Sequence, residues 1–281
     1  MHNKVCLVTG ANSGVGKEIA MGLARLGAQL VMVCRDTVKG EAAQKEIVAL
    51  TGNDNIKLHI ADLSSQQAVR ALAGQIEAEY PKLHVLINNA GVVLTQKTLS
   101  IDAIEMTLAT NYLGPFLLTN LLLDKLKSSA PARIINVSSM AYKFGGFNLN
   151  DLQFEKRKYS VIKSYGQSKI LMNSFSFELA RRLGGIGVTV NCLHPGAVKT
   201  NLGSNNASNV LLKLTDRVIK LFFISPKKAA ETPLYLATSD EVRETSGKFY
   251  VKCKPRKSSH LTTDPALAQK IWNLSERLVG I

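Results

Sequence analysis

Tyr165 and Lys169 stand four residues apart, a spacing that sets two side chains on one helix face with Cβ atoms about 5–6 Å apart. An ammonium held beside a phenol favours the phenolate and draws its pKa down from about 10 toward neutrality. Such a phenol can donate or accept a proton in the interconversion of a carbonyl and an alcohol. A lone Tyr-x-x-x-Lys pair also arises by chance, so its neighbours must decide whether it does chemistry.

The second chemical stretch lies near the start of the chain. Lys4–Val8 is an apolar, partly β-branched run, as expected of a strand buried on both faces of a parallel sheet. Gly10, Gly14 and Gly16 interrupt it, and from Lys17 the pattern turns helical, with Ile19, Ala20, Leu23 and Ala24 on one face. Strand, glycine turn and helix in that order leave backbone N–H groups at a helix N-terminus free to receive a phosphate. The spacing G-x-x-x-G-x-G departs from the usual G-x-G-x-x-G, and a glycine turn is often only a turn.

Further strands and helices must place these groups. Gln29–Cys34 reads as a second strand ending in Arg35-Asp36, where an acidic side chain would grip a ribose 2′-hydroxyl and arginine suits a 2′-phosphate. Lys17, a cation in the first turn of a helix, opposes the macrodipole unless an anion lies nearby. Together they favour NADP(H) over NAD(H); two solvated surface cations are the plainer account. A polar-faced helix over 37–51 leads to a third strand at Ile56–Ile60, with Asp62-Leu63 at its end, and a helix covers about 65–79. Leu83–Ile87 is the fourth strand, followed by Asn88-Asn89-Ala90-Gly91, whose amides either bond a ligand or brace neighbouring backbone.

A long helical pattern over about 102–127 contains Asn111 among apolar residues, costly unless it is bonded. Arg133–Val137 is a fifth strand, ending in Ser138-Ser139. Residues 142–160 read as irregular, and a helix begins near Tyr159. Val188–Cys192 is the sixth strand, followed by His194-Pro-Gly-Ala-Val-Lys-Thr200. A Gly/Asn/Ser-rich hinge (202–209) precedes Val210, Leu214, Val218, Leu221 and Phe222 at helical spacing: a lid over an apolar substrate, or ordinary core. Gly247–Val251 is a last strand. Asp264-Pro265 caps a C-terminal helix with Leu267, Ile271, Leu274 and Leu278 on its apolar face.

Strands alternating with helices throughout predict an α/β fold, a doubly wound parallel sheet of about seven strands with helices on both faces. In that fold every strand's C-terminal end faces one crevice, and Gly10–Gly16, Arg35, Asp62, Asn89, Ser139 and Pro195–Thr200 all sit at such ends.

At 281 residues and 46% apolar content the chain can form one domain with a large core, and neither repeats nor low-complexity segments interrupt it. Cys6, Cys34, Cys192 and Cys253 lack metal-ligand spacing, and three of them sit in strand-like runs, so reduced structural thiols, no metal site and a cytoplasmic location are expected. No signal peptide and no apolar stretch near the roughly 20 residues of a bilayer span is evident, which predicts a soluble chain or one peripheral to a membrane. The net charge of +14 is densest at Lys248, Lys252, Lys254, Arg256 and Lys257. Without a nucleic-acid motif beside it, this cluster reads as a solvated face.

Thr9–Gly16, Asn88–Gly91, Asn111, Ser139, Tyr165-x-x-x-Lys169 and Pro195-Gly196 together resemble the motif set of the short-chain dehydrogenase/reductase family, across about residues 4–251. Cys34-Arg-Asp36, Asn148–Phe154 and Tyr165–Lys169 are most similar to its retinol dehydrogenase-related subgroup, as is the long gap between Ser139 and Tyr165. The resemblance implies a single Rossmann-type domain over 1–281, within which about 202–226 is the stretch read as a lid or as ordinary core and about 255–281 is the C-terminal tail and helix. It implies that Tyr165 is the general acid/base, that Ser139 (second of its serine pair, with Ser138 the alternative) bonds the substrate oxygen, and that Asn111 supports a proton-relay water. Lys169 is implied to hold the nicotinamide ribose and lower the tyrosine pKa. The Gly10, Asn12, Ser13, Gly14, Val15, Gly16 turn is implied to cradle the cofactor phosphates and Arg35 to meet the 2′-phosphate. Asp62 and Leu63 would flank adenine, Asn89, Ala90 and Gly91 would support the cofactor, and Pro195, Gly196, Val198 and Thr200 would abut the nicotinamide. Pairing through helices 102–127 and 159–183 into a homodimer or homotetramer is also implied. Many membrane-bound members of the subgroup carry an N-terminal apolar anchor that is not expected in this chain.

The expected function is NADP(H)-dependent interconversion of a small apolar alcohol and its aldehyde or ketone. A non-catalytic dinucleotide sensor is the alternative, and nucleic-acid binding through the positive charge is a third reading.

Overall fold

The computed structural model describes residues 1–198 and 224–281. The elements over the first half are β1 (Val5–Thr9), α1 (Gly14–Arg25), β2 (Gln29–Cys34), α2 (Thr37–Thr51), β3 (Ile56–Ile60), α3 (Gln66–Glu79) and β4 (Val85–Asn88). Then come α4 (Met106–Leu108), α5 (Gly114–Leu121), α6 (Leu123–Ser128), β5 (Ala132–Val137), α7 (Val161–Arg182) and β6 (Val188–His194). The described remainder holds α8 (Pro226–Ala229), α9 (Glu231–Thr238), β7 (Lys248–Val251), β8 (Lys254–Arg256), α10 (His260–Thr263) and α11 (Pro265–Val279).

The strands form one sheet in the order β3-β2-β1-β4-β5-β6-β7-β8. All neighbours are parallel except β7 and β8. Chain order reverses between β1 and β4, the switch point at which open α/β sheets bind ligands beyond the strands' carboxyl ends. The sheet is thus one strand wider than expected. The extra strand, β8, is exposed along its whole length. It carries Lys254, Pro255 and Arg256, residues that blunt a sheet edge against pairing with another chain. The densest basic cluster therefore belongs to the sheet's outer hairpin.

Apolar side chains cover both sheet faces, which is why β1 and β4 are buried end to end. One cluster joins α1, α2 and α9 to the sheet; the other joins α3, α5, α7 and α11. No helix among the described residues is long and apolar enough to cross a membrane, and among them no group of His, Cys, Asp and Glu is placed to hold a metal.

The helical pattern expected over 102–127 is broken in three places. Glu105 starts the helix late, its carboxylate accepting the N–H groups of Thr107 and Leu108. Ala109–Leu113 then forms a π turn, in which the Gly114 N–H reaches back to Ala109 O. Pro115 explains the widening, since it lacks the N–H that an α-helix would offer to the carbonyl of Asn111. Leu122 separates α5 from α6.

The C-terminal helix keeps its predicted cap, with Asp264 accepting the N–H groups of Ala266 and Leu267. Its buried residues are Ala268, Ile271, Trp272, Ser275 and Val279, a stripe rotated about one residue from the expected leucine face. The large ring of Trp272 sets that rotation. It packs on Phe116 and Phe175, with ring centroids at 5.1 and 5.7 Å.

Candidate active site

At the switch point β1 runs into the glycine turn. Gly10 has φ +66° and Gly14 φ +54°, left-handed values that cost an L side chain and suit glycine. Gly16 is required for a different reason: a Cβ there would lie 2.1 Å from Gly10 O. Ser13 stands exposed at the N-cap of α1 without a side-chain cap bond, and no acidic residue occupies the first turn. The first-turn N–H groups, which have no intrahelical partner, therefore face the crevice beside Asn12, Gly14 and Val15 with positive partial charge. This cradle fits a phosphate.

Asn89 resolves its two expected uses toward bracing. Its Nδ2 donates to Thr9 O at 2.9 Å, while the N–H groups of Asn89 and Ala90 both donate to Thr9 Oγ1. The β4 loop thus fixes the path of the glycine turn. Gly91 follows, and a Cβ on it would sit 3.3 Å from Asn111 Oδ1 and 3.9 Å from Lys169 Nζ. Asn111, fully buried in the π turn, accepts from Val92 N at 2.7 Å. It donates to Val92 O at 2.9 Å and to Ser168 Oγ at 3.2 Å. Those bonds meet its burial cost.

The Ser139 hydroxyl sits near enough to the Tyr165 phenol to favour its phenolate form. Ser139 Oγ also accepts the N–H of Ala141 at 3.2 Å. Ser138 is buried, its Oγ turned to the carbonyl of Lys169, so of the two serines Ser139 is the one that acts on the phenol. Lys169 Nζ lies 5.4 Å from the centre of the Tyr165 ring and donates to Val137 O at 3.0 Å.

The electrostatics depart from the expected coupling. Burial raises the phenol of Tyr165 above its usual value, and the Ser139 hydroxyl pulls it only partly back. Burial likewise pushes the ammonium of Lys169 down to about 8. The lysine sits over the ring face with its charge turned to Val137 O, so in this chain alone it does not lower the phenol. The Tyr165 phenol is therefore protonated at neutral pH.

Around this centre Arg35 is exposed at the end of β2. Asp36 is spent locally, capping α2 through Lys39 N at 3.0 Å and pairing with Lys39 Nζ at 3.3 Å. Lys17 is a correction: its anion is Glu46 of α2, at 2.8 Å, so it does not signal a phosphate. Asp62 accepts from Ser64 N and Ser64 Oγ at the end of β3, and Leu63 is buried with its carbonyl against Gly114. Pro195 follows β6, and Gly196, at φ +109°, packs beneath Ile224. Val198 pairs with Ile224. Thr200 and most of the expected lid, 202–226, lie outside the described residues.

Two features escaped the sequence. His194 Nδ1 accepts the N–H of Met140 at 3.3 Å, and burial drives the imidazole down to about 4; the histidine stood inside a quoted motif with no partner to suggest this. The 142–160 segment, expected as irregular, is clasped. Asp151 accepts three backbone N–H groups, from Glu155, Lys156 and Arg157, and the Arg157 guanidinium. Burial opposes its charge, but these donors outweigh it and hold the carboxyl below its usual range. Arg157 continues to Gly146 O and to Gln167 Oε1, two residues beyond Tyr165. An acidic residue six before an arginine was the available signal.

The family model described as short chain dehydrogenase matches residues 4–210. Retinol dehydrogenase 13 of Homo sapiens is 42% identical over 281 residues, covering 99% of this chain and 85% of its own length. The crystal structure of an uncharacterized protein from Mycobacterium paratuberculosis superposes with TM-score 0.80 at 33% identity, over 99% of this chain and 94% of the other. A metagenomic short-chain oxidoreductase solved in complex with NADP superposes with TM-score 0.67 at 27% identity, over 89% of this chain and 97% of that one. With its switch-point glycine turn and its Tyr165–Lys169 pair, the chain is an oxidoreductase of the short-chain dehydrogenase/reductase family, in the retinol dehydrogenase subgroup.

Proposed function

We propose that the protein is an NADP(H)-dependent oxidoreductase interconverting an apolar alcohol and its aldehyde or ketone, with Tyr165 as the general acid/base. The observation that carries this reading is the placement of Tyr165 beside buried Lys169, whose Nζ lies 5.4 Å from the ring, with Ser139 next to the phenol, at the sheet edge that also bears the glycine cradle. A nicotinamide dinucleotide bound there would give or take the hydride.

The chain's own groups supply the rest. Tyr165 protonates the carbonyl oxygen in reduction and takes the alcohol proton in oxidation. Burial keeps the phenol protonated at neutral pH, the form that can donate to a carbonyl oxygen. Ser139 donates its hydroxyl proton to the same oxygen as negative charge develops, its side chain oriented by the Ala141 N–H bonded to Oγ. Lys169 holds the ribose, and Asn111 holds the Val92 backbone beside it and supports a relay water. The first-turn N–H groups of α1 bind the pyrophosphate. Arg35, with neighbouring Asp36 committed to its helix cap, meets a 2′-phosphate. Asp62 and Leu63 lie along the adenine side, and Pro195, Gly196, Val198 and Thr200 along the nicotinamide side.

The name of the human relative supports a retinoid-like substrate, a long apolar chain ending in a primary alcohol or aldehyde. The test is titration with NADPH against NADH, followed by turnover of apolar aldehydes by the wild type and by Tyr165→Phe. Tight NADPH binding by both proteins, with turnover lost by about 10²–10⁴-fold only in the variant, is expected. Undiminished turnover in Tyr165→Phe overturns the mechanism.

A further inference from the structure

Between Ser139 and Tyr165 the chain makes a long excursion, and its two ends come back together through glycine alone. Ser139 caps the one-turn helix Met140–Lys143, and Gly145 follows that turn. Gly166 follows Tyr165 on α7. A Cβ on Gly145 would run into the carbonyl carbon of Gly166, and one on Gly166 would lie 2.5 Å from Gly145 Cα and 2.7 Å from Ala141 O. The turn of the serine and the helix of the tyrosine therefore touch backbone to backbone. No side chain stands between them whose rotamer could absorb a change, so any opening of this contact passes to the spacing of Ser139 and the phenol.

Two glycines bury little apolar surface against each other and hold such a contact weakly. One side chain holds it from outside. Arg157 Nη1 donates to Gly146 O at 2.8 Å and Nη2 to Gln167 Oε1 at 3.1 Å, so the guanidinium bridges the residues that follow each glycine. It is anchored in turn on Asp151, with Nη2 at 2.7 Å from the carbonyl and Nε at 3.0 Å from the carboxylate. A planar fork fixes the angle between these bonds, which an ammonium does not. Gln167, 1% exposed, donates its Nε2 to Leu152 O at 2.8 Å, and this holds its amide oxygen toward the arginine.

The rest of the excursion supports the same guanidinium. Phe154, 3% exposed, takes a left-handed φ of +55°, a conformation that persists only where its surroundings over-determine it. Arg157 lies 4.4 Å over its ring, the Tyr159 ring stands edge-on at 5.5 Å, and Lys97 Nζ donates to its carbonyl at 3.2 Å. Tyr159 Oη donates to Leu94 O at 3.2 Å, two residues beyond the Val92 that Asn111 grips. The clasp thus reaches the turn of Ser139, the helix of Tyr165 and the loop beside Asn111.

We propose that Arg157 is a positioning residue for the reaction: by bridging Gly146 and Gln167 it keeps the Gly145–Gly166 contact closed, and so keeps the Tyr165 hydroxyl aligned with the oxygen that Ser139 also meets. This rests on the reading of Tyr165 as general acid/base. Arg157 acts through the backbone and not on the reacting atoms, so its loss is felt in the chemical step rather than in binding.

The experiment compares the full-length wild type with Arg157→Ala, Arg157→Lys, Gln167→Met, Arg70→Ala and Tyr165→Phe. Each is titrated with NADPH, and decanal reduction is expressed per NADPH-binding site, so that loss of folded protein does not count as loss of rate. Arg157→Ala is expected to keep its NADPH affinity and its KM within about twofold while kcat falls about 10²-fold, the cost of a misplacement on the order of 1 Å. Arg157→Lys keeps the charge without the fork and is expected to stay within about threefold of Arg157→Ala. Gln167→Met cuts the bridge on the α7 side with Arg157 still paired to Asp151. It should repeat the fall in kcat, and it decides alone if the arginine variants do not fold. Arg70→Ala is the control for stability: it removes the donor to Val279 O and Gly280 O, at 2.6 and 3.0 Å, at the end of α11, and should keep the wild-type kcat. A wild-type kcat in folded Arg157→Ala, a loss confined to KM, or an equal fall in Arg70→Ala overturns the proposal while a dead Tyr165→Phe leaves the reading of the site standing. Undiminished turnover in Tyr165→Phe overturns that reading, and the proposal with it.

Discussion

Lys169 Nζ donates to the carbonyl of Val137 at 3.0 Å, and this one bond ties together the strand end that bears Ser139 and the helix that bears Tyr165. Val137 stands two residues before Ser139 at the end of β5, and Lys169 stands four residues, about one turn, after Tyr165 on α7. The distance between the serine hydroxyl and the phenol is therefore set by a strand end and a helix face that the lysine holds together.

That lysine is costly to keep charged, and the cost has a pH signature. In the unfolded chain it titrates near 10.5; in the folded chain burial lowers this to about 8. Between those values the unfolded state binds more protons, so stability rises with pH across that window. Below about 8 the group is charged in both states and the full burial penalty, at most about 3 kcal/mol, is present. Lys169→Met removes the titration. The difference in unfolding free energy, wild type minus variant, is expected to climb from pH 8 to 10.5 in urea titrations, while the variant's turnover falls steeply. A difference that stays flat over that range removes the claim of a strained, buried ammonium.

His194 carries the acid side. Its imidazole, held neutral by burial, accepts Met140 N–H beside Ser139. Its folded pKa of about 4 lies below the ordinary 6.5, so the unfolded chain takes up the proton first and stability is lost as pH falls between them. The loss amounts to up to about 3 kcal/mol. His194→Gln keeps an acceptor without a titration. The variant should hold its denaturation midpoint from pH 6.5 to 4 better than the wild type, a comparison that cancels the parallel contribution of His84, which burial also lowers. Equal slopes would assign the acid sensitivity elsewhere.

How far this site could be read in advance depended on whether its parts were local. The strands, the glycine turn and the Tyr165–Lys169 spacing follow from period and turn chemistry within a few residues of each other, and all of them reappear in the fold. Features set by distant contacts did not show. The π turn at Asn111 answers to Pro115 and to Gly114 packed on Leu63 O. The rotation of α11 answers to rings on α5 and α7. Lys17 looked like a phosphate signal because Glu46, 29 residues on, was out of sight. The direction of the Tyr165 shift depended on how deep the ring sits, which no spacing reveals.

The two cations that the sequence offers for a 2′-phosphate separate cleanly. Lys17 is paired with Glu46 at 2.8 Å, while Arg35 is exposed beyond β2. If Arg35 meets the 2′-phosphate, Arg35→Ala removes a charge-assisted bond worth about 1.5–3 kcal/mol, weakening NADPH by about tenfold or more and leaving NADH nearly unchanged. Lys17→Ala should move neither cofactor much and should cost little stability, since an exposed ion pair contributes about 0–1 kcal/mol. Equal losses of NADPH and NADH on Arg35→Ala would place that arginine outside the specificity contact.

Gly16 tests the cradle itself without touching a charged group. Its missing Cβ leaves room for Gly10 O, which would otherwise stand 2.1 Å away, and for Asn89 Nδ2 at 2.4 Å. The side-chain amide can swing aside, but the carbonyl belongs to the turn that Asn89, just beyond β4, fixes through Thr9 at the end of β1. Gly16→Ala must therefore push the turn off α1 at a cost of about 1–3 kcal/mol, moving the phosphate site with it. The expected outcome is a lower thermal midpoint and NADPH binding weakened by about tenfold or more, with turnover at saturating cofactor less affected than affinity. Gly52→Ala is the control: its φ is +69° and nothing lies within 4 Å of the added Cβ, so it costs backbone strain alone. If both variants lose stability and Gly16→Ala binds NADPH like the wild type, the glycine turn is only a turn.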